Sequence, residues 1–417
     1  MLVFKFGGAS VKDSNGVKNL LNIINTFKDN IIIVVSALGK TTNKLEEILN
    51  LSIENIEQGK EKFELLKAYH FDIVKDLFSD LNNQLYKELK SEFANLNDEL
   101  FEKKHDSYDL KYDQIVSFGE IFSTLIVSAF LNSKQLTNKW VDIRKVFITD
   151  DTFRNAKIDM NLTKTKADAS FDFKNDKTYL TQGFIGGFKN GLATTLGREG
   201  SDYTAAVLAN LLNAEKVIVW KDVDGILNAD PQYFEATEKL DRVSYQEAVE
   251  LAYFGAKVIH PKTIKPLHNK NIPLYVRSFI NPEGTGTEIG CFKQYDKDIP
   301  VFVLKKDQML ISLFPKDLSF AIEDELSKVF KYLSEHRINV NLIQNSAISI
   351  SLCIDNANRK SKQLIERFKE DYKVLYNDQL ELLTIRHYSD QAIEKVTKGR
   401  KIYIEQRSRH TAHFVIK

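Results

Sequence analysis

A chain of 417 residues is too long for one ordinary core, so two or three domains are expected. Its hydrophobic content of 43% and charged content of 28% are those of a soluble globular protein. With 58 basic and 57 acidic side chains the formal net charge is +1, which excludes the broad positive field of a nucleic-acid binder and leaves room for a local cationic site.

The opening residues, MLVFKFGGASV, lack a basic n-region and an apolar stretch of secretory length. Residues 2–6 and 31–35 read as early strands, with helical spacing over 17–27 between them. The run 31–35, with Ala37 and Leu38 close behind, is the longest apolar run in this reading. It falls far short of the roughly 20 residues that span a bilayer, so no membrane location is expected. Residues 44–112, rich in Leu, Glu and Lys without Pro, predict several helices, and 113–131 continues that pattern. Strands resume at 180–184 and 216–220. Ser244 followed by Glu247 before an apolar run matches a capping box. All seven prolines lie between Pro231 and Pro315, so a region with many turns is expected there.

NPEGTGTEIG at 281–290, with residues 296–300, is the best domain boundary, giving domains of 1–295 and 300–417. Beyond it, strands near 309–313, 338–345, 347–354 and 379–388 and helices near 319–336 and 360–370 predict a βαββαβ unit over about 300–380. A shortened second unit is expected over about 381–417. Cys291 and Cys353 make no CxxC pair and no disulfide framework, as fits a reducing cytosol. Alternation of short strands with helices predicts an α/β layered fold.

Three segments carry the chemistry. KFGG at 5–8 ends the first strand. Its adjacent glycines let backbone N–H groups approach an anion, and Lys5 suits phosphate oxygens; a plain Gly-Gly turn is the alternative. TTLGREGSDYTAA at 194–206 places Gly197 and Gly200 around a loop that opens a helix. Such a terminus attracts anions, and Arg198 suits a carboxylate, while Asp202 could equally serve as a cap. VIVWKDVDGILNADP at 217–231 runs from a strand into an acidic loop, where open α/β sheets gather ligands. It lacks the ligand order of an EF-hand.

Two weaker fragments accompany them. SFGE at 117–120 sets Glu120 inside an apolar helix, where it needs a substrate ammonium group or a structural Arg as partner. GAKVIHP at 255–261 offers Lys257 to phosphates, with His260 read as a turn residue. Gly39-Lys40-Thr41 lacks the leading glycine of a P-loop, and HExxH, GxSxG and GxGxxG after the first strand are absent.

Taken in order, KFGGASV, VVSALGKTTNKL (34–45), SFGE, TLGREGSDYTAA, KDVDGILNADP, ELAYFGAKVIHP (250–261) and IPLYVRSFINPEGTGTEI (272–289) resemble the aspartate kinases of the amino-acid kinase superfamily. The resemblance covers nearly all of residues 1–290. It implies the amino-acid kinase fold, a layered α/β sandwich with a mostly parallel central sheet, followed by a C-terminal ACT-like region. It implies transfer of the γ-phosphoryl group of ATP to the β-carboxylate of L-aspartate, the first step toward lysine, threonine and methionine. Lys5, Gly7, Gly8, Ser10, Lys221, Asp222, Leu227, Gln232, Lys257 and Val258 would bind ATP. Thr42, Glu120, Arg198 and Ser201 would bind aspartate, Glu120 facing its ammonium group and Arg198 its α-carboxylate. Lys5, Asp202 and Lys257 would be catalytic, with Asp202 orienting substrate and lysines. Mg²⁺ would be held mainly by ATP oxygens and water, with no metal site of the chain's own.

Departures from the commoner pattern are Ala9 for Thr, Glu199 for Gly, Lys221 for Thr, Leu227 for Tyr and Gln232 for a basic residue. The last three touch the adenine and ribose contacts. A cytoplasmic homodimer, paired through the ACT-like region, is expected. Its loop at 314–320 has no glycine, from which weak or absent inhibition by lysine or threonine is expected. A fused homoserine dehydrogenase is not expected from the length. The rival readings are a kinase of the same superfamily acting on glutamate or acetylglutamate, and a non-catalytic amino-acid sensor.

Overall fold

The computed structural model describes residues 1–80, 84–256, 259–292, 299–316, 322–357 and 359–417. In chain order the first strands are β1 (Leu2–Phe6), β2 (Ile31–Val35), β3 (Lys139–Val141), β4 (Thr178–Gln182), β5 (Ile185–Gly187), β6 (Ala193–Thr195) and β7 (Lys216–Lys221). They are followed by β8 (Ile226–Leu227), β9 (Lys239–Leu240), β10 (Arg242–Ser244), β11 (Leu274–Ser278) and β12 (Thr287–Gly290). Eight of them form one sheet in the order β10-β12-β11-β7-β1-β2-β4-β3. Every neighbouring pair in it is parallel except β11 with β12. β1 and β2 are buried on both faces, as their continuous apolar sequences require of central parallel strands.

The helices of this part are α1 (Ser14–Asn25), α2 (Thr41–Glu54), α3 (Ile56–Leu77), α4 (Gln84–Asn97), α5 (Tyr108–Ser133), α6 (Met160–Ser170), α7 (Gly200–Leu211), α8 (Tyr245–Phe254) and α9 (Pro261–His268). Asp13 caps α1 by accepting from the Gly16 N–H at 2.8 Å. The serine half of the expected capping box is present at α8, where Ser244 Oγ accepts from the Glu247 N–H at 3.0 Å. The proline-rich stretch is more regular than expected. Pro261 opens α9 at a position where its missing N–H costs nothing, and His260 caps that helix through Nδ1. α5 is long and apolar enough to cross a membrane by length and composition, which the run-length reading overlooked. Yet 83% of its most apolar window is buried within the protein, so it serves as a core helix.

The chain forms two compact units. One holds Met1–Ile226, Lys239–Val249 and Val258–Lys293, and the other holds Leu227–Glu238, Glu250–Lys257 and Gln294–Lys417. The second thus takes in segments from before residue 295. Within it the Asn228 carbonyl accepts from the Phe302 N–H at 2.7 Å, and the Phe234 and Phe302 rings lie 5.4 Å apart.

The second unit adds β13 (Val301–Pro315), α10 (Ile322–Glu335), β14 (Val340–Ser346), β15 (Ser349–Asp355), α11 (Arg359–Asp371), β16 (Tyr372–Arg386), α12 (Asp390–Thr397), β17 (Ile402–Arg407) and β18 (Thr411–Ile416). These strands make an antiparallel sheet in the order β14-β15-β13-β16-β18-β17. β13 and β16 are each fifteen residues long, about three times the strand expected at 309–313. The register shift around Asp307 and Gln308, with positive φ at Asp307 and Gln379, divides this long pair into two halves. One half lies beside β14 and β15; in the other, residues 301–305 pair with 382–386, which in turn pair with β18. Of the loop at 314–320, residues 317–320 lie outside the described residues.

Candidate active site

The carboxyl ends of β1, β2 and β7 lie level, Phe6 opposite both Val35 and Trp220, so the loops that follow all emerge on one edge. A side chain at Gly8 would place Cβ 2.6 Å from the carbonyl oxygens of Ala37 and Gly39, so only glycine lets the loops after β1 and β2 meet. Gly183, just beyond β4, is equally confined: a Cβ there would lie 2.4 Å from that of Ser201, at the start of α7. Gly197 and Glu199, at φ of 78° and 54°, turn the chain from β6 into α7.

These loops enclose a cavity of about 510 Å³. Its lining unites Lys5, Gly8, Thr42, Glu120, Arg198 and Ser201 from four separate stretches of chain. Lys5 Nζ stands 2.7 Å from Asp202 Oδ1, and Lys221 Nζ lies 3.8 Å from Oδ2 of the same fully buried carboxylate. Burial alone would raise the Asp202 pKa; the two lysines reverse this and hold it below the usual range. Asp202 is therefore an ion-pair centre in the first turn of α7, and the capping reading does not hold, since Glu199 occupies the cap position.

Glu120 comes from the middle of α5 and is 2% exposed. One oxygen accepts from the Ala37 N–H at 3.2 Å, and the other has no hydrogen-bond partner among the described residues. Burial pushes its carboxyl up to about 8. Glu199, also on the lining, is raised by desolvation and by the Asp202 charge.

Other expected residues are placed differently. Gly7 lies beside Lys5, where a Cβ would sit 3.5 Å from Nζ. Ser10 is buried, with Oγ 3.4 Å from the Trp220 carbonyl, so its hydroxyl is turned to the sheet. Asp222 is exposed at the end of β7. Leu227 and Gln232 belong to the second compact unit, where the Gln232 N–H closes a turn on Asp230 Oδ1 at 2.9 Å. Lys257 and Val258 lie outside the described residues.

The sequence reading missed Tyr112, Arg154, Phe184 and Thr195, which also line the cavity. Asp113 binds this group together. It accepts from the Thr195 N–H at 2.8 Å, from Thr195 Oγ1 at 2.7 Å and from the Arg154 N–H at 3.0 Å. Burial raises its pKa to about 6 against the pull of those bonds. A carboxylate four residues before SFGE, inside the same apolar helix, was the available signal. A cavity lined by Lys5, by guanidinium groups and by a buried carboxylate with an unsatisfied oxygen suits a phosphorylated ligand beside a zwitterionic acid.

The sequence profile of the amino acid kinase family matches residues 1–278. The chain is 34% identical over 367 residues to lysine-sensitive aspartokinase 3 of Escherichia coli, covering 87% of this chain and 80% of that protein. It is 33% identical to aspartokinase 1, chloroplastic, of Arabidopsis thaliana, over 88% of this chain and 65% of that longer protein. The crystal structure of E. coli aspartokinase III in complex with aspartate and ADP superposes with a TM-score of 0.84 at 28% identity, covering all of this chain and 96% of that one.

Proposed function

The chain belongs to the aspartokinases of the amino acid kinase family and so is a kinase acting on aspartate, and we propose that the cavity at the ends of β1 and β2 is where aspartate meets ATP. The observation that carries this reading is the unpartnered buried oxygen of Glu120, in a cavity that also holds Lys5 and Arg198. A buried carboxylate without a partner is costly, and the ammonium group of an amino acid would satisfy it. Arg198 would take the α-carboxylate, with Thr42 and Ser201 supplying hydroxyls.

Lys5, Lys221 and the backbone at Gly7 and Gly8 would take the phosphates, and Asp202 would position both ammonium groups. The β-carboxylate of aspartate is already ionised near neutral pH, so the step needs no general base. The oxygen attacks the γ-phosphorus in line as the bond to the bridging oxygen of ADP breaks, giving 4-phospho-L-aspartate. Acceleration would come from positioning and from Lys5 neutralising charge on the transferred group. The Asp202 carboxylate is committed to two lysines, leaving exposed Asp222 at the strand end, a donor set that suits Mg²⁺ carried in on ATP phosphates and water. Bound there, Mg²⁺ would add charge neutralisation on the phosphates.

The same reading assigns residues 1–295 to catalysis and 300–417 to an ACT-like regulatory region. The element order of β13 to β16, βαββαβ, supports the first ACT-like unit. The second would be built from residues 381–417 and completed by the near half of β13. The reading also includes a cytoplasmic location and a homodimer, the dimer supported by β14 and β17 standing at the edges of the sheet among the described residues.

The test is a panel of acids incubated with ATP and Mg²⁺, trapping acyl phosphate as hydroxamate. Aspartate is expected to react well above glutamate and N-acetylglutamate. Equal turnover of another acid would move the protein elsewhere in the superfamily, and no turnover would favour a sensor.

A further inference from the structure

Arg154 stands in the cavity wall in a conformation that needs explaining. Its φ is 66°, a left-handed backbone that costs a non-glycine residue on the order of 1 kcal/mol. The loop around it is closed and rigid. The Ala156 N–H donates to the Thr195 carbonyl at 2.9 Å, the Asp150 N–H to the Lys157 carbonyl at 3.0 Å, and the Arg154 N–H to buried Asp113. The backbone is thus fixed so that a long cationic side chain joins the cavity lining.

Its guanidinium lies 4.2 Å from the centre of the Tyr112 ring, a cation–π contact that helps hold it in place. Its counter-ions are Glu46 on α2, at 3.2 Å from Nη2, and Asp109 on α5, at 3.5 Å from Nη1. Each is a single contact, not a two-pronged one, and both acids are well exposed, so these pairs are weak and exchangeable. Arg154 lines the same cavity as Arg198, Thr42 and Glu120. A guanidinium close over an aromatic ring, with replaceable partners, is prepared for a planar anion.

We propose that Arg154 is a second carboxylate-binding residue for the acceptor, exchanging Glu46 and Asp109 for the α-carboxylate that Arg198 also grips. The inference rests on the reading of the acceptor as an amino acid with a free α-carboxylate. Arg154 then discriminates against acceptors that lack that group, and Glu46 and Asp109 act as internal competitors. A brace between α2 and α5 is the competing role, and the two differ in what removing the acids does.

The experiment measures KM for aspartate at saturating ATP in the full-length protein. Arg154→Ala is expected to raise it on the order of tenfold, with KM for ATP and kcat within about twofold of wild type. Arg154→Lys is expected to recover part of the loss, since it keeps the charge without the fork. The double variant Glu46→Gln, Asp109→Asn is expected to lower KM for aspartate at low salt. A KM for aspartate unchanged in Arg154→Ala overturns the proposal. So does a KM in the double variant that rises or stays level, because a brace loses its anchors and a competitor does not. A retained KM for ATP shows that the variants are folded. Wild type yielding no aspartyl hydroxamate would sink the aspartate reading itself; turnover insensitive to Arg154 would sink this inference alone.

Discussion

The carboxyl group of Glu120 links stability to binding. Its folded pKa, pushed up to about 8 by burial, exceeds the ordinary carboxylate value, so the folded state holds a proton that the unfolded state has released. Between about pH 4.5 and 8 the empty protein should therefore lose stability as pH rises, and the loss should level off above 8. Glu120→Gln, neutral throughout, should melt higher than wild type by a margin that widens across this window, while losing aspartate affinity. Melting curves at pH 5, 6.5 and 8 would check this; a margin independent of pH would contradict it. In the proposed reading two other side chains divide the labour of catalysis. Lys5→Ala is expected to lower kcat by about 10²-fold or more with a smaller change in KM, because it meets charge that grows in the transition state. Arg198→Ala is expected chiefly to raise KM for aspartate, by roughly 10- to 100-fold, since the α-carboxylate is bound alike before and during transfer. Steady-state kinetics showing the reverse pattern would reject the assignment.

At the scale of elements, the site depends on helices brought to strand ends. SFGE is visible as a motif because a glutamate within an apolar run is chemically out of place. Why it is there becomes plain only when α5 is seen against the loop after β2, whose Ala37 N–H takes one carboxylate oxygen. TLGREGSD reads as a helix start, and α7 begins at Gly200, one residue before the expected opening at Ser201. What that reading could not provide is the pairing of Asp202 with Lys5, which are 197 positions apart and meet because β1 lies beside β7 and under α7. The short strands β3, β5 and β6 escaped notice, since three residues carry too little periodicity to register. In the C-terminal half the alternation was read correctly in order but not in length. β13 and β16 run on through a bulge at polar residues that look like a turn.

For the molecule as a whole, the six-stranded sheet of the second unit ends on β14 and β17. Exposed edges carry unpaired backbone groups, which folded proteins cover by a second chain or protect by charge. The expected outcome is a dimer, with a mass near twice 47.9 kDa by light scattering. A stable monomer at micromolar concentration would remove the dimer from the proposal. Inhibition by lysine or threonine is expected to be weak, from the glycine-free loop at 314–320. Although the E. coli relative is named for its lysine sensitivity, strong cooperative inhibition here would show that a complete effector site forms without that glycine.

The sequence by itself pointed to the class of fold, the order of its longer elements and six residues of the cavity lining, Lys5, Gly8, Thr42, Glu120, Arg198 and Ser201. Lys5, Gly8, Arg198 and Glu120 stand out by local rules, as glycine pairs at strand ends and charged groups in loops or apolar helices, whereas Thr42 and Ser201 come only from the resemblance to aspartate kinases. The sequence also set aside nucleic acid, through a net charge of +1. The tertiary structure alone decided that Ser10 turns its hydroxyl to the sheet, that Asp113 ties Thr195 to Arg154, and that Arg154 lies on Tyr112 in the cavity wall. Those facts depend on contacts between residues about 40 to 210 positions apart, and no local pattern encodes a contact that only the packing of β1, α5 and β6 creates.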